Sequence, residues 1–91
     1  MFKILFTEAY DNKAKKFFKQ HPDIKKQYEK TLELLESNPY HQSLRLHRLK
    51  GRLKHLYSVS INIVYRIIIE FIFENDKIIL IDVGSHDDIY D

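Results

Sequence analysis

The sequence predicts an α+β fold of order β-α-α-β-β-β, in which a helical hairpin packs on one face of a small, mainly antiparallel twisted sheet. Three observations carry this. Apolar residues recur every three or four positions up to about residue 37, alternation by two with many β-branched residues takes over from Leu53, and the only prolines and glycines (Pro22, Pro39, Gly51, Gly84) fall where elements end. With 91 residues and no linker, repeat or low-complexity stretch, residues 1–91 read as a single domain.

Residues 2 to 6, Phe-Lys-Ile-Leu-Phe, read as a first strand, after which Thr7 can accept a backbone N–H as helix N-cap with Glu8 in the favourable first turn. Tyr10, Ala14, Phe17 and Phe18 form the inward face of the first helix, and Lys13, Lys15, Lys16 and Lys19 face water. Pro22 ends that helix and can start another. The second helix is expected from about Pro22 to Ser37, with Ile24, Tyr28, Leu32 and Leu35 as its stripe and Asn38-Pro39 as its stop. Three consecutive antiparallel strands follow: an alternating one from Leu56 to Ile61, a nearly continuous apolar one from Ile63 to Phe73, and one from Ile78 to Val83 after the turn 74–77. The continuous strand is expected at the centre, with one face on the helices and the other partly covered.

A domain of this size buries only about 60 to 65 per cent of the surface of its unfolded chain, so ordinary stability is expected. The absence of cysteine excludes disulfides and thiolate metal sites and makes a reducing cytosol the expected compartment. No apolar run approaches the length of a membrane span, and the N-terminal one is too short for a signal-peptide core, so a cytoplasmic protein without membrane association is expected. The five histidines show no paired metal-ligand spacing, and no phosphate-binding glycine loop or nucleophile elbow occurs. No metal and no cofactor are expected.

Charge is unevenly distributed. Between Glu36 and Glu70 there is no acidic residue, but there are six cations, Arg45, Arg48, Lys50, Arg52, Lys54 and Arg66; the rest of the chain carries 9 basic against 13 acidic residues. A basic stripe on a mildly acidic body suits a polyanion, although the same stripe also serves as a solvated face kept for solubility. Within it, cations alternate with leucines around a glycine in Leu46-His47-Arg48-Leu49-Lys50-Gly51-Arg52-Leu53-Lys54, so the leucines can anchor while the cations project to phosphates. Arg66, inside the most hydrophobic strand, must either reach the open face or pair with Glu70 or Glu74. His86 follows a strand end and a glycine, where a side chain can be presented at the sheet's rim; a lone histidine there also serves as an ordinary surface or capping residue. Cleavage of RNA through its own 2′-OH needs a base, an acid and fixed positive charge, functions that His47, His86, Tyr90 and the nearby cations can supply.

The run Leu46–Gly51, the strand segment Tyr65-Arg66-Ile67-Ile68 and the terminal Gly84-Ser85-His86-Asp87-Asp88-Ile89-Tyr90, in this order and spacing, resemble the RelE/ParE superfamily of bacterial type II toxins, most closely its YafQ-like branch. The resemblance spans nearly the whole chain and implies the same β-α-α-β-β-β layout. It further implies a ribosome-dependent endoribonuclease that cuts mRNA and is neutralised by a cognate antitoxin, with operator DNA bound only through the toxin–antitoxin complex. By resemblance His47, His86 and Tyr90 match catalytic positions and Arg66 matches the arginine that stabilises the transition state. Arg45, Arg48, Lys50, Arg52 and Lys54 are then expected to hold mRNA or rRNA phosphates. The chain departs from the YafQ-like pattern where a histidine and an aspartate stand around the turn before the central strand; here Ser60 and Val64 occupy those places, and neither can act as an acid or base. Two other readings follow from the same family: a ParE-like poison of DNA gyrase, and a catalytically degenerate member that only binds antitoxin.

Overall fold

The computed structural model describes residues 1–90, with the side chains of Asp88 and Tyr90 outside the described set. Strand β1 (Lys3–Leu5) leads into helix α1 (Glu8–Gln20), and a 3-10 turn (Pro22–Ile24) links this to α2 (Lys25–Ser37). Strands β2 (His47–Arg48), β3 (Tyr57–Ser60), β4 (Tyr65–Ile72) and β5 (Lys77–Ser85) follow, and a short helix α3 (His86–Tyr90) closes the described chain. The five strands are ordered β1-β5-β4-β3-β2, with β1 parallel to β5 and every other pair antiparallel. The central position of β4 and the mainly antiparallel sheet agree with the sequence expectation.

Helix α1 begins as expected: the Thr7 side chain accepts the Tyr10 N–H at 3.1 Å. Tyr10 and Phe17 are buried from α1, and Tyr28, Thr31 and Leu35 from α2. The second helix starts later than expected. Pro22 opens the 3-10 turn, whose Ile24 enters the core, and the α-helical bonding begins at Lys25. A hydrogen bond of 2.8 Å joins the Tyr10 and Tyr28 hydroxyls inside the core. Burial, and for Tyr10 the neighbouring Tyr28 oxygen, push both phenols above their ordinary range.

Strand β4 alternates strictly, as a period of two requires. Tyr65, Ile67, Ile69 and Phe71 join the large core under the helices, whereas Ile68 belongs to a separate buried set with Leu49 and Leu56. The expected strand 63–73 is shorter at its start because Asn62 makes a turn: its Oδ1 accepts the N–H groups of Val64 and Tyr65 at 2.9 and 2.8 Å. Ile63 and Val64 are consequently exposed. The alternating stretch from Leu56 to Ile61 forms β3, but the change of period expected from Leu53 starts later, since Leu53 lies in a 3-10 turn (Gly51–Leu53) whose glycine takes φ +67, a conformation favoured by the absence of a Cβ.

Two elements were not expected, β2 and α3, each too short to show a period. A third feature sets the phase of β5. The pairing of β4 with β5 slips between Ile68 and Ile69, so that Ile68 faces Asp82 and Ile69 faces Leu80, with Ile81 the extra residue of a bulge. Before the bulge the even positions Ile78 and Leu80 enter the helix-side core; after it the odd position Val83 does. The even positions beyond the bulge thereby turn to the open face.

Candidate functional site

Strand β2 is held at the sheet edge by pairing His47 with Ser58 and Arg48 with Tyr57. The loop after it returns through Leu49 N–H to Leu56 C=O at 2.9 Å, and the Arg48 Nε–H donates to the Lys54 carbonyl, closing the loop upon itself. Leu49 and Leu56 are buried on Ile68, with Ile81 of β5 and Ile89 of α3 packed against them. The expected leucine-cation alternation holds at Leu49, whereas Leu53, expected to anchor as well, is exposed. Buried leucines hold the loop to the sheet, and Arg48, Lys50, Arg52 and Lys54 are exposed.

Arg66 lies across from Ser60 on one side and Gly84 on the other. Neither expected ion pair forms. Glu70 and Glu74 make no salt bridge with Arg66 among the described residues; the guanidinium instead donates from Nη1 to Ser60 Oγ at 3.0 Å, and Ser60 is buried. Distance decides this outcome for Glu70, which shares the open face with Arg66 but lies four residues along the strand, about 13 Å at the usual rise. Ser60 was read only as a departure from a catalytic pattern; its function as a buried hydroxyl holding Arg66 depends on strand register. Val64, the other departure, sits exposed in the turn before β4.

His86 starts α3 directly after β5, beyond the bulge, with its side chain 67% exposed and Nδ1 3.8 Å from Asp87 Oδ1. The result is a cleft of about 450 Å³ lined by His47, Arg48, Leu49, Lys50, Leu53, Arg66 and His86. Two imidazoles 39 positions apart in the chain, and a guanidinium between them in sequence, thus share one hollow whose lining includes no carboxylate. His47 Nδ1 is 3.3 Å from the Arg45 carbonyl oxygen; a carbonyl only accepts, so this contact puts the ring proton on Nδ1 and the lone pair on Nε2.

Among the expected phosphate-binding residues, Arg48 and Lys50 line the cleft, Arg52 and Lys54 are exposed on the adjoining loop, and Arg45 lines a neighbouring groove instead. Arg45 adopts φ 49, the left-handed conformation that ends the 3-10 turn Gln42–Leu44 and diverts the chain before β2. The backbone of Tyr90 ends α3, and its side chain lies outside the described residues. Leu49 and Leu53 complete the cleft walls. Their regular spacing among cations was the available signal for them, whereas Ser60 had none.

Among the described residues, no group of three or more histidine, cysteine or acidic side chains is arranged to hold a metal ion. No described helix is long and apolar enough to cross a membrane.

Residues 4–90 match the family model for the ParE toxin of type II toxin–antitoxin systems. No curated protein sequence gives a significant match. Among solved structures, the chain is similar to YafQ from E. coli strain BL21(DE3), at TM-score 0.81 and 15% identity over 100% of both chains. It is similar to the E. coli DinJ-YafQ complex at TM-score 0.79 and 15% identity, again over 100% of both chains. It also resembles a metal-bound toxin from Helicobacter pylori at TM-score 0.79 and 22% identity, covering 98% of this chain and 99% of that one. At these identities the structural likeness establishes the fold, which is that of YafQ and its RelE-like relatives.

Proposed function

Given that the chain belongs to the ParE toxin family of type II toxin–antitoxin systems, we propose that this toxin is an endoribonuclease that cuts mRNA on the ribosome. The observation that carries the reading is the shared cleft of His47, Arg66 and His86, bordered by Arg48 and Lys50. These are the functions that attack by an RNA 2′-oxygen requires.

In this mechanism His47 Nε2 takes the 2′-proton, because its Nδ1–H is committed to the Arg45 carbonyl. The 2′-oxygen bonds to the adjacent phosphorus, and the bond from phosphorus to the 5′-oxygen of the next nucleotide breaks. His86 gives its proton to that leaving oxygen. The products are a 2′,3′-cyclic phosphate and a 5′-hydroxyl. Negative charge grows on the phosphoryl oxygens as the phosphorane forms, and the Arg66 guanidinium, oriented by Ser60, stabilises it. The missing acid and base at Ser60 and Val64 are not needed when two histidines already face one cleft.

The ribosome enters through the YafQ-like resemblance, and the exposed Arg52 and Lys54 beside the cleft supply charge for rRNA. A cognate antitoxin is the proposed protein partner, by likeness to the DinJ-bound toxin, and an acidic segment of it would cover the basic face. Operator DNA is bound only through that complex. The proposed setting is the cytoplasm.

Induced expression should arrest translation, and the purified toxin should cut mRNA on programmed ribosomes to leave cyclic phosphate ends. Replacing His86 or Arg66 by alanine should slow cleavage by about 10²-fold or more while leaving the thermal melt in place. Full toxicity in both variants would overturn the assignment. Arrest of DNA synthesis before translation would point to gyrase instead.

A further inference from the structure

Beside Ser60, two smaller hollows open between α2 and the end of β3. One, of about 190 Å³, includes Ser43, Arg45, Ser60 and Asn62 in its lining. The other, of about 250 Å³, includes Gln27, Lys30, Ser43 and Ser60. Ser43, Ser60 and Ile61 border both, so the two form one groove. The Ser60 hydroxyl accepts the Arg66 N–H at 3.0 Å, so a residue bordering the groove is hydrogen-bonded directly to one lining the cleft.

The groove has the chemistry of a single-stranded nucleic-acid contact. Lys30 stands at one end and Arg45 at the other, and no carboxylate is among the lining residues. Between them lies a fixed carboxamide pair: Asn62 Nδ2 donates to Gln27 Oε1 at 3.2 Å, while Asn62 Oδ1 is held by the turn it makes. Orientation of Gln27 is set by that bond, which leaves its Nε2 hydrogens as the donors available to a base edge. Ile61 and the exposed Ile63 provide an apolar surface for the flat face of a base. A solvated helix face would need neither the amide pair nor the hydrogen bond to Arg66.

We propose that this groove is a second subsite for single-stranded RNA, taking the nucleotide adjacent to the one cut in the histidine cleft. Lys30 and Arg45 hold the phosphates on either side of it, and Gln27 contacts its base. The subsite rests on the ribonuclease reading and extends it from one bond to the flanking sequence. Gln27 thus becomes a source of sequence preference, since a carboxamide distinguishes base edges while a cation does not.

Nuclear magnetic resonance of the full isotopically labelled chain, titrated with an uncleavable 2′-O-methyl RNA trinucleotide, tests this. The side-chain amide signals of Gln27 and Asn62 and the Ser43 amide should shift together with the imidazole signals of His47 and His86. In Lys30→Gln, which preserves helix propensity, the slope of log affinity against log salt should become shallower by about 0.7, the effect of one lost phosphate contact on a single strand. Shifts confined to His47 and His86, or an unchanged salt slope in Lys30→Gln, would overturn the subsite and leave the ribonuclease reading standing. No response at His47 and His86 would remove that reading, and the subsite with it.

Discussion

On the helix side of the sheet, Val59, Ile67, Ile69, Ile78 and Leu80 are wholly buried against Tyr10, Leu35 and Leu44, whereas on the open side the buried set is Leu49, Leu56 and Ile68. The first is covered by two helices of 13 residues each; the second is roofed by a loop and a five-residue helix. Area removed from water is the main source of stability, so the helix side carries most of it. That division lets the open side keep polar and cationic groups, Ser60, Arg66, His47 and His86, which would be costly in a closed core. The small apolar set has a different purpose: it fixes the basic loop and α3 relative to Arg66.

The sharpest way to break this comparison is to truncate one leucine on each side. Leu35→Ala should destabilise the fold by about 2–5 kcal/mol, read by denaturant unfolding. Leu49→Ala should cost less, near 2 kcal/mol at the low end of that range, because a surface loop collapses onto the gap more readily. Unlike Leu35→Ala, it should also weaken RNA cleavage in protein that remains folded. Equal costs and equal activities in the two variants would mean that the sides form a single core.

A smaller effect isolates the open face alone. Ser60→Ala should lower kcat by about 10-fold, roughly 1.4 kcal/mol and the size of one hydrogen bond to a charged group, with KM little changed. Ser60→Thr, which retains the hydroxyl, should recover most of the loss. A fall in stability without a kcat effect, or no recovery by threonine, would show that Ser60 supports packing rather than the Arg66 guanidinium.

The smallest effect belongs to the helix side. Tyr28→Phe removes the bond between the two buried hydroxyls and should cost about 1 kcal/mol. Burial raises both phenols above the ordinary value of 10.0. A raised value in the folded state means that the folded protein holds its protons more tightly, so this stability is complete below pH 10.0 and declines as pH climbs above it. Unfolding measured against pH should show that alkaline decline in the native chain and in Leu49→Ala, and a flatter one in Tyr28→Phe.

Much of the helix side was legible along the chain. Tyr10, Phe17, Tyr28 and Leu35 lie at helical spacing, Thr7 precedes a helix, and Asn38-Pro39 ends one, all local signals with local causes. On the open side the leucine-cation alternation revealed that Leu49 anchors and the cations project, but not that Leu53 is exposed. It did not reveal β2, whose two residues are too few for a period, nor the turn that exposes Ile63 and Val64, which apolarity alone assigns to a strand. Ser60 and Asn62 were illegible for a further reason. A hydroxyl or carboxamide acquires its purpose only from the partner that pairing brings opposite it.

Composition and periodicity by themselves determined the α+β class, the inward stripes of both helices, the central strand and the one-signed charge of the middle of the chain, because each is a property of neighbours in sequence. Tertiary structure alone decided that His47, Arg66 and His86 share one cleft. Side chains on a strand alternate by two, so a shift of one residue reverses which face they occupy. The bulge at Ile81 makes that shift in β5, turning Val83 inward where the even positions had been and delivering the chain to His86 on the open face.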